Sequence, residues 1–454
     1  MHKQEKILKF RIISMLLCFL MVLSSVSPMY GQSIDGVYGR KFTGETEADI
    51  TTGSAIKAVG IKEVSSTSGS AITGEGTKSS PYIISTEDDL RTVAEEVNHK
   101  GNTYDGKYLK IKDGNSIELS SEWMPIGTES TPFKGRLDGS FAVISGIKAN
   151  GATTPSGINN YGFFGYVESA EIKNLTVSGS AINYSNAAGI AGKSKKSSFI
   201  NCVNSVNLNG TVNAGGISAL DEGSVFKACV NKGEVISSGN TGGIAGNIVD
   251  GTVSAHAELD GCYNERAVKG IGTGAYTGGV AGKAGKFCVL TNCFNKGQVE
   301  GQATGTKIYT AGVAAYLGEE STIDNCYNAA GGLVTGMGQY TAGVFGEIKS
   351  NTNPGSANTV LTALYNAGTV TGFGTYTSGV LGSVPVNMGN NITYCYNTGT
   401  VAGQGANAAG VCGQLSGANL MGTDRTSRLN LCYNLGEVRG EGDDTAAAGI
   451  NIKN

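Results

Sequence analysis

The sequence predicts an all-β protein: a parallel β-helix, or solenoid, with three short strands per coil and an N-terminal helical cap. Three observations predict it. A Gly-apolar-x-Gly block recurs from Tyr161 onward, and the first three spacings between leading glycines are each 27 residues. Glycine makes up 70 of 454 residues, about twice its usual share. It falls at turn-like positions between Val/Ile/Thr runs, not at every third residue as collagen requires. Finally, each period holds three strand candidates and no helix, which is the one-dimensional form of a β-solenoid.

The chain begins with Lys3, Lys6, Lys9 and Arg11, then an apolar run from Ile12 to Val26, then Ser27, Pro28 and Gly31-Gln32. A positive segment, an apolar run too short to span a bilayer comfortably and a polar exit read as a secretory signal over residues 1–31. Cys18 does not make it a lipoprotein signal, because Leu17 is not small and the apolar run continues past it. The mature chain is therefore expected to be secreted or on the cell surface, extracellular or outer-membrane associated, with no membrane span. Without residues 1–31 it carries 30 basic and 36 acidic side chains and no basic patch, so nucleic acid is not an expected partner.

Residues 32–80 form a Gly/Ser/Thr-rich leader or a poorly marked first set of strands. Over 81–160 the sequence predicts the cap and the first coils. Pro81-Tyr82-Ile83-Ile84 reads as a strand. Ser85 and Asp88 form a capping-box pair, and Leu90, Val93, Ala94 and Val97 share one helical face. Asn98 to Asn102 ends that helix. Strand-like runs follow at Tyr108–Ile111, Trp123–Gly127, Phe133–Gly139, Val143–Ile147 and Ile172–Val177, with a turn expected at Asp138-Gly139.

From 161 to 454 three blocks alternate. The glycine block starts at Gly162, Gly189, Gly216, Gly243, Gly279, Gly312, Gly343, Gly379 and Gly410. A Cys-x-Asn block starts at Cys202, Cys229, Cys262, Cys293, Cys326, Leu364, Cys395 and Cys432. A Gly-x-Val variant closes each period, from Val235 to Val438. The Gly-(Ile/Val)-x-Gly block followed by Cys-Tyr-Asn resembles the GLUG-motif repeat of bacterial secreted and cell-surface proteins. The run from Pro81 through Trp123-Met124-Pro125-Ile126-Gly127 to Gly146 is similar to the segment that commonly precedes such repeats. The resemblance covers about Gly76 to Asn454. It implies a right-handed parallel β-helix in exported, often adhesin-like proteins; such repeats also occur as accessory regions beside protease domains.

Read as chemistry, the columns are mostly structural. Leu364 takes a cysteine's place, so that column is expected inside, with free thiols acting as small hydrophobes. Asn204, Asn231, Asn264, Asn295, Asn328, Asn366, Asn397 and Asn434 are expected to hold left-handed turns or to form amide ladders. Between Cys and Asn lies an aromatic column that includes Tyr327, Tyr365 and Tyr396; strand alternation turns it outward. A second column, Tyr276, Tyr309, Tyr340 and Tyr376, precedes the glycine block. These seven tyrosines are the candidate ligand-binding residues, able to stack on sugar rings, accept a protein or pack laterally.

No metal, cofactor or catalytic residue is expected. The acids are scattered, His99 and His256 stand alone, and neither H-E-x-x-H nor G-x-S-x-G occurs. The chain is thus read as no enzyme, with a polysaccharide lyase or hydrolase as the distant alternative. Inserts at 247–260, 349–359 and 415–428 fall at one point of the period and should emerge on one side. The sequence reading is an adhesin-like protein that binds an extracellular glycan or surface protein, with a passive spacer as the alternative. The chain stops at Asn454 inside a fresh glycine block, so it is expected either to be truncated or to have its last coil covered by a downstream polypeptide or partner.

Overall fold

The computed structural model describes residues 72–151, 158–349, 358–384, 391–416, 419–420, 423–424, 427–441, 444–446 and 450–453. The signal over 1–31 and most of the leader lie outside the described residues. The chain winds as a β-solenoid, and one of its sheets has ten strands, one from each coil. Successive coils pair in parallel and in register, as Phe294 with Tyr327 and Val299 with Val334. Columns of equivalent side chains therefore lie about 4.8 Å apart. The coil that starts at Val289 contains Val289–Thr291, Phe294–Asn295, Gln298–Gly301, Tyr309–Ala311 and Ala314–Leu317. Five short segments thus replace the three expected strands, because extra corners break each predicted run.

The first corner explains itself. The residue before each cysteine adopts a left-handed backbone, as at Asn201, Asn292 and Asn325 with φ of 53°, 55° and 52°, a geometry that suits Asn and Gly. The thiol that follows turns inward. Cys202, Cys229, Cys262, Cys293, Cys326 and Cys395 are fully buried, as is Leu364 in the same column. Cys293 Sγ donates to Leu259 O of the preceding coil and to Thr291 O, at 3.4 and 3.3 Å.

Two residues on, the Asn column forms a ladder inside the solenoid. Each Nδ2 donates to the Oδ1 of the next coil at 2.7–2.9 Å, without a break from Asn204 to Asn434. The second Nδ2 hydrogen caps a backbone carbonyl, as Asn295 does with Gly297 O at 2.9 Å. Buried amides need this satisfaction, since an orphaned group costs about 1–3 kcal/mol. Of the two expected roles, the ladder is the one adopted; left-handed geometry falls three residues earlier.

The predicted helix α1 spans Glu87–Lys100. Its capping box is Thr86 with Asp89, one residue after the expected pair: Asp89 N donates to Thr86 Oγ1 at 3.2 Å and Thr86 N to Asp89 Oδ2 at 3.0 Å. Gly101, at φ 72°, ends it. Leu90, Val93, Ala94 and Val97 join the core that contains Ile84, Ile111 and Trp123. Trp123–Gly127 is not a strand but carries one isolated parallel bridge, Ile126 with Phe164, because α1 takes the backbone groups on either side of Ile126. Asn98 Nδ2 donates to Pro125 O at 2.9 Å, and Gly127 N donates to Asn98 Oδ1 at 2.8 Å. The turn expected at Asp138-Gly139 comes at Ser140 and Phe141, with φ of 52° and 61°.

Two glycines test this geometry. A Cβ on Gly312 would stand 2.1 Å from Gly343 O, whereas one on Gly261, at φ 62°, meets open space. Gly312→Ala should lower stability by about 1–3 kcal/mol. Gly261→Asn, which restores the column's own residue type, should be neutral or gain up to about 1 kcal/mol. Urea midpoints of the two variants check both signs.

Candidate functional site

Strand alternation places Tyr263, Phe294, Tyr327, Tyr365, Tyr396 and Tyr433 outward, between a buried Cys or Leu364 and a buried Asn in every coil but the one with Tyr433, whose Cys432 and Asn434 are half-buried. In-register pairing then lays ring on ring. Centroids are 4.6, 4.8, 4.4, 5.0 and 5.1 Å apart, with interplanar angles of 9° or less. This arrangement corrects one expectation. Each interior ring spends both faces on its neighbours, so the column meets solvent with ring edges and hydroxyls and not with faces for sugar stacking.

The second tyrosine column continues an amide ladder. Asn160, Asn186, Asn213 and Asn240 bond one to the next at 2.7, 2.7 and 2.9 Å, and register carries the column on through Tyr276, Tyr309, Tyr340 and Tyr376 to Asn407. The four rings stack at 5.3, 5.1 and 5.0 Å. Beyond the glycine corner, the ten-stranded sheet aligns Lys283, Tyr316, Glu347 and Ser383. The columns converge: Tyr316 lies 5.2 Å from Tyr276 and 6.4 Å from Tyr309, and Tyr309 and Glu347 are near enough for each to shift the other's ionisation. Glycine permits this approach, since a Cβ on Gly346 would lie 3.1 Å from Tyr309 Cβ. Tyr309 and Tyr376 are only 4 % and 7 % exposed, so of the roles open to this column in the sequence, lateral packing is the one its burial favours. Burial raises the Glu347 carboxyl above its ordinary range, and the neighbouring Tyr309 hydroxyl offsets part of that rise.

Other polar groups gather elsewhere. Ser194 Oγ donates to Asp221 Oδ1 at 2.7 Å and Ser224 N to Asp221 Oδ2 at 3.1 Å, all inside the core. His256 lies in the 247–260 insert, its Nδ1 3.2 Å from Thr252 O. That insert edges an open groove of about 520 Å³ that also involves Arg136, Glu171 and Lys196. Part of the 415–428 insert is a hairpin pairing Asn419–Leu420 with Thr423–Asp424; the 349–359 insert lies mostly outside the described residues. Both described inserts leave the coil after a strand of the ten-stranded sheet. Among the described residues no three His, Cys, Asp or Glu side chains are grouped to hold a metal. The nine cysteines from Cys202 on are free; eight are buried and Cys432 is partly exposed. A hydrogen bond from Cys395 pulls the Cys432 thiol down to about 7, while burial pushes Cys288 and Cys412 up.

No protein-family model and no curated protein matches the sequence. A similar solved structure is a crystal structure named a "putative immunoglobulin A1 protease" from Bacteroides ovatus. The likeness has a TM-score of 0.38 and 19 % identity, and covers 72 % of this chain and 77 % of that one. At that level it assigns no reaction or substrate to this chain. The expectation that the chain is no enzyme, against which that structure's name stands, is corrected on physical grounds: it relied on acids being scattered along the chain. A solenoid brings residues one coil apart together, as it does Ser194 and Asp221, 27 positions apart.

Two measurements follow from this geometry. A carboxyl raised by burial supports the fold below its unfolded pKa and weakens it as pH rises through the folded value. Glu347→Gln, which keeps the side chain's shape and polarity without a charge, should therefore be more stable than the parent at neutral pH, with the difference vanishing on acidification in urea melts. Thiol titration should modify Cys432 alone in the native protein and all nine thiols from Cys202 on in denaturant without reductant. Seven or more blocked thiols would contradict the packed column.

Proposed function

We propose that the protein is an exported GLUG-type repeat protein, secreted or held at the cell surface, that binds an extracellular glycan in the manner of an adhesin. On this reading α1 caps the first coil. The observation that carries the proposal is the outward row of hydroxyls on Tyr327, Tyr365 and Tyr396, repeated in register. A pyranose ring is about as long as the ~4.8 Å coil spacing, so a linear glycan laid along the solenoid meets one such hydroxyl per sugar. Absence of a membrane helix among the described residues agrees with export but does not establish it.

One observation favours a second reading. Rings that spend their faces on each other stiffen a rod, which is what a passive spacer needs. The triple variant Tyr327→Phe, Tyr365→Phe, Tyr396→Phe separates the two, because it keeps the stacks and deletes the hydroxyls. The proposal expects an unchanged thermal midpoint and binding to glycan arrays or host cells weakened about tenfold or more, the equivalent of one good hydrogen bond. Undiminished binding sinks the hydroxyl row as the contact surface. A parent protein that binds nothing supports the spacer.

A further inference from the structure

Charge is unevenly distributed along the solenoid. Residues 350–423, 74 in all, contain no Asp, Glu, Lys, Arg or His, whereas the 74 before them, 276–349, contain ten charged side chains. The described coils of this stretch include the buried Tyr376 and two half-buried candidate tyrosines, Tyr365 and Tyr396. Beside them the outward position of the adjoining strand holds Thr362 and Thr393, in register with each other and with Asn430. Within these coils an ionic ligand meets no counter-charge, the charges next in register being Asp324, one coil before Thr362, and Arg428, one coil after Asn391, and stripping water from an unpaired charge is costly. Hydroxyls and amides, in contrast, exchange hydrogen bonds with a neutral polar ligand on equal terms.

Tyr394 adds the missing ring face. It occupies the left-handed corner before Cys395, at φ 59°, where neighbouring coils hold Asn292, Asn325, Ala363 and Leu431. A bulky side chain there strains the backbone in a way that Asn does not. In return its ring stands out from the corner, 51 % exposed. Its register neighbours, Ala363 and Leu431, carry no ring to stack on it. It sits between Thr393 on one strand and Tyr396 on the next.

Building on the glycan-binding reading above, we infer that the ligand is a neutral glycan, held on the uncharged coils with one sugar ring against Tyr394 and its hydroxyls against Thr362, Thr393, Tyr365 and Tyr396. The full chain is tested by isothermal titration with a neutral β-glucan, a neutral mannan and polygalacturonate, each at low and high salt. The expected result is binding to a neutral polymer with an affinity that salt does not change. Tyr394→Asn suits the left-handed corner, so its melting point should match or exceed the parent's, while its affinity for the neutral polymer falls about tenfold. Binding only to polygalacturonate, loss of binding in high salt, or full affinity in Tyr394→Asn each overturns the inference and leaves surface binding standing. A parent that binds no polysaccharide overturns both readings. Sedimentation that reveals a dimer abolished by Tyr394→Asn gives this face to a second copy of the chain and likewise overturns the glycan.

Discussion

Parallel pairing in register is the constraint on which everything else here depends. It sets every side chain about 4.8 Å from the side chain at the same position in the coils above and below, so each column must be compatible with itself. Amides satisfy that demand by bonding, phenyl rings by stacking and small apolar groups by packing. Like charges do not. Charged positions therefore alternate in sign along the axis, as in Lys134–Glu168–Lys195 at 3.2 and 2.9 Å and Lys286–Glu319–Lys349 at 3.1 and 3.4 Å. The scattered acids of the sequence are a product of this alternation, and their spacing along the chain says little about which groups meet in space.

The same constraint decides what reaches the outside. A stacked ring is shielded by its copies, and the more regular the column, the less of each face remains. Tyr365 and Tyr396 are aligned to within 2°, which makes them good struts and poor sugar platforms. Irregular positions behave differently. Tyr394 interrupts a column of Asn, Ala and Leu, so it has no copy to cover it. On the neutral-glycan inference, this departure from the period supplies the ring face that the periodic row of hydroxyls lacks.

The period, the inward cysteines and the outward aromatics were legible because each is a simple alternation or repeat. Leu364 alone placed its column in the core. Other features depend on geometry that letters do not carry. The Asn column suited both a turn and a ladder, and only its buried side of the strand selects the ladder. The capping box lay one residue from the expected pair because Ser85-Thr86 and Asp88-Asp89 offer overlapping frames. Trp123–Gly127 has strand-like composition, but Asn98 takes the groups flanking Ile126 and leaves one bridge, to Phe164, in place of a strand. Covered ring faces follow from interplanar angles. Tyr394 left a trace, an aromatic residue where other coils place Asn, Gly, Ala or Leu, but that trace has meaning only once the corner is known to be left-handed.

The buried asparagine ladder has one more property. All seven of its bonds run the same way, each coil giving one hydrogen to the coil after it and receiving one from the coil before. An interior coil is therefore a closed unit of exchange. If a whole coil is duplicated or lost, every remaining amide still finds a donor and an acceptor, whereas a cut within a coil orphans one of each. A gene encoding such a protein can lengthen or shorten the rod in whole-coil steps of about thirty codons without changing the chemistry of its interior.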